Sequence, residues 1–449
     1  VGTDTVREQA ADEAAERRRE QRGWYVYDWA CSVYSTSVLT VFLGPYLTSV
    51  AKAAADADGF VHPLGIPLSA GSFFAYCVSA SVILSIFVMP LAGAAADRTG
   101  RKKPLLAVAA YLGAAATAGM FFLDGDRYLL GGLLLIVANA SLAVSMVLYN
   151  SYLPQIAPPE ERDAVSSRGW AFGYASGALV LVANLILYTA HDTFGVSEAT
   201  AVRICLASAG IWWGAFTLIP LKRLRDRRTM SSSGTSTHGW RQLAATVRDM
   251  RRQPLTLAFL LAYLVYNDGI QTVISQASVY GSEELGLDQS TLIVAVLLVQ
   301  LLAVAGALGM GRLARTYGAK RTILGSLVAW TVTLGAGYFL PAGAPVWFFV
   351  LAAGIGVVLG GSQALSRSLF SHLVPPGKEA EYFSAYEMSD RGMSWLGPLL
   401  FGLTYQLTGS YRDAIISLVA FFVLGFVLLA RVPVRQAVRD AGNPVPDRI

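Results

Sequence analysis

The chain has 449 residues, of which 54% are hydrophobic and 14% charged. Soluble proteins carry about 25% charged residues, so the composition excludes an ordinary soluble globular domain and leaves an all-α polytopic membrane protein. The formal net charge of +5 follows topology. Lys52, Arg127, Arg203 and Arg412 fall in or beside predicted outer loops, while the other Lys and Arg residues lie in termini, inner loops or near inner helix ends. That asymmetry predicts a multi-pass protein of the cell membrane with both termini cytoplasmic. It also removes any need for a nucleic-acid partner.

The chain opens with an arm over residues 1–23, rich in Ala, Glu and Arg. The arm lacks an apolar signal core and is expected to be an amphipathic or disordered cytosolic segment. Trp24–Val50 is the first predicted span, Lys52–Pro67 an outer loop, and Ser69–Leu91 the second span. Gly93–Lys103 (GAAADRTGRKK) reads as a tight basic turn before spans at Leu105–Leu123, Tyr128–Tyr152, Arg168–Ala190 and Ala201–Leu221. Residues 222–254 break the pattern, with a Ser/Gly/Thr tract at Ser231–Gly239, and read as a cytosolic linker. Within it, Trp240–Arg252 fits a surface helix facing anionic lipid. Spans resume at Leu255–Tyr280, Ser290–Ala314, Thr322–Leu340, Pro345–Phe370, Tyr382–Leu407 and Asp413–Arg431, and residues 432–449 form a cytosolic tail. Six spans within 24–221 and six within 255–431 predict twelve transmembrane helices in two pseudo-symmetric six-helix bundles.

An internal repeat supports the halving. Gly311–Arg321 (GRLARTYGAKR) follows the eighth span as GAAADRTGRKK follows the second, with Arg315 where Asp97 would stand. Asp28, Cys31, Ser32 and Ser35 have the spacing of Asp268, Gln271, Thr272 and Ser275. Offsets of 0, 3, 4 and 7 put each set on one helix face. In the turn itself, Gly93 and its alanines let helix ends approach, Asp97 accepts from helix ends or an arginine, and Gly100 supplies the backbone turn.

Ionisable groups inside spans are costly and face a cavity or a partner. Asp28, beside Tyr27, fits either a carboxylate that titrates or binds a substrate amine, or an inner-interface acid that caps a helix or pairs with a loop arginine. Asn267 and Asp268, with Gln271, fall near mid-span and are expected to line the central cavity. Glu387, Asp390, Arg391 and Ser394 repeat the 0, 3, 4, 7 spacing, and Glu387 with Arg391 reads equally as a gate or coupling pair and as a neutralised structural pair. Asn139 and Gln363 are polar groups that serve either substrate contact or helix–helix adhesion. Gly354, Gly356, Gly360 and Gly361 predict a close helix approach, and Pro398 a bend. Cys31, Cys77 and Cys205 sit in different spans and the four histidines are scattered. No metal site, cofactor or catalytic set is therefore expected.

The order G-x-x-x-D-R-x-G-R-K in the first turn resembles the signature loop between the second and third spans of the major facilitator superfamily. Tyr27-Asp28-Trp29-Ala30, Val41–Tyr46, Tyr266-Asn267-Asp268-Gly269, Gly361–Arg367 and Trp395-Leu396-Gly397-Pro398 are similar to the vacuole-effluxer family, the autophagy-related vacuolar amino-acid exporters of fungi and their bacterial relatives. The resemblance covers nearly all of Trp24–Arg431. It implies a rocker-switch secondary transporter that exports a small polar or zwitterionic solute such as an amino acid. Gly93, Asp97, Arg98, Gly100 and Arg101 would form a cytoplasmic gate. The expected partners are a small-molecule substrate, the bilayer and protons, and the expected functional state is a monomer. A lipid or lysolipid translocator on the same fold is the alternative; an enzyme is not expected.

Overall fold

The computed structural model describes residues 2–70, 73–227, 250–287, 289–391, 396–408 and 410–449. The predicted Ser231–Gly239 tract and nearly all of Trp240–Arg252 lie outside the described residues.

The first helix, α1 (Gly2–Val33), passes through a π-helical stretch, Tyr34–Phe42, into α2 (Leu43–Ala53). Of the two expectations for the arm, amphipathic or disordered, the structure has the arm helical and continuous with the first span. Ala, Glu, Gln and Arg are strong helix formers, and Glu16 and Glu20 are anchored by Arg225 and Arg227. The π stretch is rich in hydroxyl and β-branched residues, and Thr40 donates to the Ser35 carbonyl five residues back at 2.8 Å. A two-stranded hairpin, β1 (Phe60–Val61) with β2 (Leu68–Ser69), closes the predicted outer loop. Asp56 ties that loop down through the Phe60 amide (2.8 Å) and His62 (2.8 Å). These bonds, His62 foremost, hold the Asp56 carboxyl below its usual range.

The helices that follow are α3 (Phe73–Thr99), α4 (Lys102–Gly119), α5 (Tyr128–Asn150), the short α6 (Leu153–Ile156), α7 (Arg162–Thr189) and α8 (Glu198–Arg223). Then come α9 (Pro254–Val279), α10 (Gln289–Tyr317), α11 (Ala319–Tyr338), α12 (Pro345–Ser371), α13 (Glu379–Arg391), α14 (Leu396–Thr408), α15 (Tyr411–Ser417), α16 (Val419–Arg431) and α17 (Val434–Asp440). Among the described residues, 10 helical segments are long and apolar enough to cross a membrane. The predicted ninth span corresponds to α11, and the eleventh to α13 and α14 on either side of residues 392–395.

The chain forms two compact units, residues 1–150 with 175–228, and residues 151–174 with 229–449. In the first, Trp24 stacks on Tyr149 (4.4 Å between centroids) and Tyr34 packs on Trp213. In the second, Trp330 stacks on Phe422 at 5.3 Å. The apolar side chains of Val108, Ile211, Leu301 and Val332 point outward and are exposed, the inverted pattern of helices solvated by lipid. The predicted glycine row brings α10 and α12 together: a Cβ on Gly356 would sit 2.7 Å from the Val299 carbonyl oxygen.

The signature turn is shorter than the sequence pattern reads. Gly93 to Thr99 are the last turns of α3, and only Gly100 and Arg101 separate it from α4. Gly100 takes φ 64°, and its counterpart Gly318 takes φ 87° between α10 and α11. The tail is likewise not loose. Val434, Ala437 and Val438 of α17 are buried, and Asn443 donates to the His372 and Val374 carbonyls at 3.0 and 2.6 Å.

Candidate functional site

The polar residues of the second unit gather on α9, midway along a helix that is otherwise apolar. Asn267 is 1% exposed and sits between two partners. Its Nδ2 donates to Asp390 Oδ1 at 2.7 Å, and its Oδ1 accepts from Gln363 Nε2 at 3.1 Å. A carboxylate only accepts, which sets the direction of the amide and of the whole chain from Gln363 to Asp390. Tyr263, one turn back on α9, donates to the same Asp390 oxygen at 2.9 Å and stacks on Tyr386. On the next turn, Tyr266 meets Ser366 at 2.6 Å. Ser366 gives its own proton to the Ser362 carbonyl, so the Tyr266 hydroxyl is the donor.

Asp268, 2% exposed, points elsewhere. Its Oδ2 accepts the Gly397 amide at 2.9 Å, which places a carboxylate at the first turn of α14, where the helix dipole favours negative charge. Only glycine permits this approach, because a Cβ at 397 would collide with Thr272 and come within 3.1 Å of the Asp268 carbonyl oxygen. Asp268 Oδ1 is buried and has no hydrogen-bond partner among the described residues. Gln271 is partly buried one turn further on. Glu387 is buried. The Arg391 side chain and Ser394 lie outside the described residues, so the predicted Glu387–Arg391 pair does too. Pro398 stands in the first turn of α14, where its missing N–H leaves no hydrogen bond unmade.

In the first unit the predicted polar groups Asp28, Tyr27 and Asn139 are buried. Asp28 Oδ2 accepts from the Tyr149 hydroxyl at 2.6 Å, and Trp24 Nε1 holds the Tyr149 carbonyl at 2.9 Å. Tyr27 is fully buried, with its ring 5.1 Å from Tyr149. Asn139 Nδ2 donates to Ser81 at 2.6 Å, leaving its buried Oδ1 without a hydrogen-bond partner among the described residues. At the signature turn, Gly93 is buried and Asp97 pairs with Lys102 at 3.3 Å, both side chains 4% exposed. Lys102 is thus a counter-charge of Asp97; Arg98 and Arg101 are exposed.

A further cluster forms around Arg367, a polar group at the end of the predicted tenth span whose partners the sequence did not reveal. Within the second unit, the inner half of α7 docks on the last two turns of α12. Arg367, at most 1% exposed, donates from Nε to Ser166 Oγ (2.9 Å) and from a terminal nitrogen to the Ser166 carbonyl (2.8 Å). Its guanidinium lies 5.2 Å from the Trp170 ring centroid. Ser368 donates to Asp163 at 2.6 Å, and Arg162 donates to the Ser371 carbonyl at 2.9 Å. Arg162 also approaches His372 Nδ1 at 3.4 Å, and an arginine can only donate there. Burial first, then the Arg162 charge, hold the His372 imidazole well below its usual value, so it is neutral at pH 7. The available sequence signal was a cation, Arg367, inside a span with no acid one helical turn away.

A nearly all-helical chain with repeated glycine turns and buried polar groups on its long apolar helices fits a membrane transporter of the major facilitator class. The fold agrees with solved structures. The E. coli fucose:proton symporter FucP matches with a TM-score of 0.69 at 13% identity, over 92% of this chain and 97% of that one. The proton:xylose symporter XylE matches with a TM-score of 0.68 at 15% identity, over 93% and 95%. Among curated proteins, the MFS-type transporter YxiO of Bacillus subtilis is 30% identical over 92% of this chain and 95% of its own. Autophagy-related protein 22-1 of Aspergillus niger is 25% identical over 94% and 90%. The family described as "Vacuole effluxer Atg22 like" matches residues 16–442. The chain belongs to that family: it is a multi-pass secondary transporter, not an enzyme.

Proposed function

We propose that the protein exports a small zwitterionic solute of the amino-acid class across the cell membrane by alternating access, coupled to protons, and that Asp268 is the anionic anchor. The observation that carries this reading is the unpartnered Asp268 Oδ1 in the middle of α9. A buried carboxylate with one oxygen spent on a helix N-terminus and the other unspent is matched by a substrate ammonium or by a proton. The Gln363–Asn267–Asp390 chain one residue away supplies amide and carboxylate groups able to reorganise around a polar ligand. The curated fungal relatives carry autophagy-related names, and family membership favours efflux.

The test is thermal stabilisation of the purified protein by amino acids, dipeptides, sugars and lysolipids, since a ligand that binds only the folded state stabilises it by mass action. An amino acid at about 100 times its Kd should stabilise by about 2.7 kcal/mol. Asp268→Asn, which keeps an acceptor for the Gly397 amide, should retain the unliganded melting temperature and lose that shift. A lysolipid shift that survives Asp268→Asn would replace this reading with lipid translocation.

A further inference from the structure

The cytosolic beginning of α1 and the end of α8 enclose a cleft of about 480 Å³ in the first unit, lined by Ala15, Arg18, Arg19, Arg22 and Arg223. The first four are spaced by three and four residues and so share one face of α1. Ala15 adds no bulk to the floor. Arg223 ends α8 and is brought against that face by Gly23, where a Cβ would lie 2.7 Å from Arg223 Cβ.

Like charges one helical turn apart repel, and among the described residues no carboxylate pairs with these. Two of the arm's neighbouring acids are already committed, Glu16 to Arg225 and Glu20 to Arg227. Among the described residues the structure gives the four lining guanidinium groups no hydrogen bond or ion pair. Four uncompensated forks around one cleft await a counter-charge with several acceptor oxygens. A carboxylate offers two oxygens, enough for one fork; a phosphate group offers more, in directions that several guanidinium groups can use together. On α1 the cleft ends two residues before Trp24, where the helix enters its apolar stretch. It therefore stands at the cytoplasmic membrane edge, where anionic phospholipid headgroups concentrate.

We infer that this arginine cleft is a binding site for a phosphate-bearing anion, outside the transport pathway, in which α1 and α8 are clamped together by the ligand. Two sources share that chemistry, a phospholipid headgroup and free phosphate.

The test uses the full chain purified in detergent, with native mass spectrometry reading bound phosphatidylglycerol, phosphatidylcholine and inorganic phosphate. Phosphatidylglycerol should bind in preference to phosphatidylcholine. Arg18→Ala/Arg19→Ala/Arg22→Ala should weaken it by about fivefold per arginine removed. These three side chains are exposed on a helix, and alanine there maintains the helix, so the variant should keep its melting temperature. A matched control, Arg312→Ala/Arg321→Ala/Arg431→Ala, removes three exposed basic groups elsewhere and should bind as wild type. Displacement of the lipid by millimolar phosphate, absent in the α1 variant, would assign a soluble ligand. Lipid retention against phosphate would assign the headgroup. Equal binding of the two lipids, unchanged binding in the α1 variant, or an equal loss in the control would each overturn the site.

Discussion

The two glycine turns began from the same eleven-residue pattern and are held in different ways. In the first, Lys102 folds back on Asp97 and both side chains are buried. In the second, Arg315 occupies the acid's position, and the lysine equivalent to Lys102, Lys320, turns to the end of α16. There it donates to the Ala430 and Val432 carbonyls at 2.9 and 2.7 Å. The tail then covers the turn, with Arg448 donating to the Thr316 carbonyl at 2.9 Å. Both turns place a glycine at positive φ, but the helix resumes directly after Gly318 and only after Arg101 in the first turn, and the charges that hold the two turns differ. A repeat thus keeps the positive-φ glycine while the helix boundary and the surrounding charges change, because that φ favours glycine and an ammonium has several acceptable partners.

The largest expected effect is at the buried pair. Asp97→Ala removes the buried carboxylate that faces Lys102 and should cost about 3 kcal/mol, read as a lowered melting temperature in detergent. Adding Lys102→Met to it should recover most of that loss; a double variant as unstable as Asp97→Ala would mean the pair is not what holds the turn. Next comes Lys320→Met, which removes two bonds to helix-end carbonyls that water can partly replace. Its cost should be about 1–2 kcal/mol, and a loss as large as that of Asp97→Ala would erase the distinction between the turns. Smallest is Arg448→Ala, whose bonds are exposed. It should shift stability by about 0.5 kcal/mol or less, with faster amide exchange confined to the Gly318 turn as its visible signature.

The same contrast separates the two carboxylate stripes. Asp28 and Asp268 head the same 0, 3, 4, 7 pattern, and the pattern put both on ordered helix faces. What differs is supplied from far along the chain. Tyr149 closes over Asp28 from α5, whereas Gly397 meets one oxygen of Asp268 and leaves the other unmatched. The two partners are 121 and 129 residues away in sequence, beyond the reach of any periodicity.

From sequence alone, the membrane class, the helix positions and the glycine turns were legible, because span length, apolar content and backbone sterics are local properties. So was the polar character of Asn267, Asp268 and Gln363, since hydrophilic side chains stand out against an apolar helix. The tertiary structure decided the partners: Lys102 for Asp97, Asn267 and Tyr263 for Asp390, Ser166 for Arg367. It also decided that the arm continues α1, that residues 151–174 pack with the second unit, and that the tail is docked. Each of these depends on which surfaces meet once the helices have formed. A buried polar group accepts any complementary neighbour that packing brings within about 3 Å, so its chemistry becomes readable only when that neighbour is known.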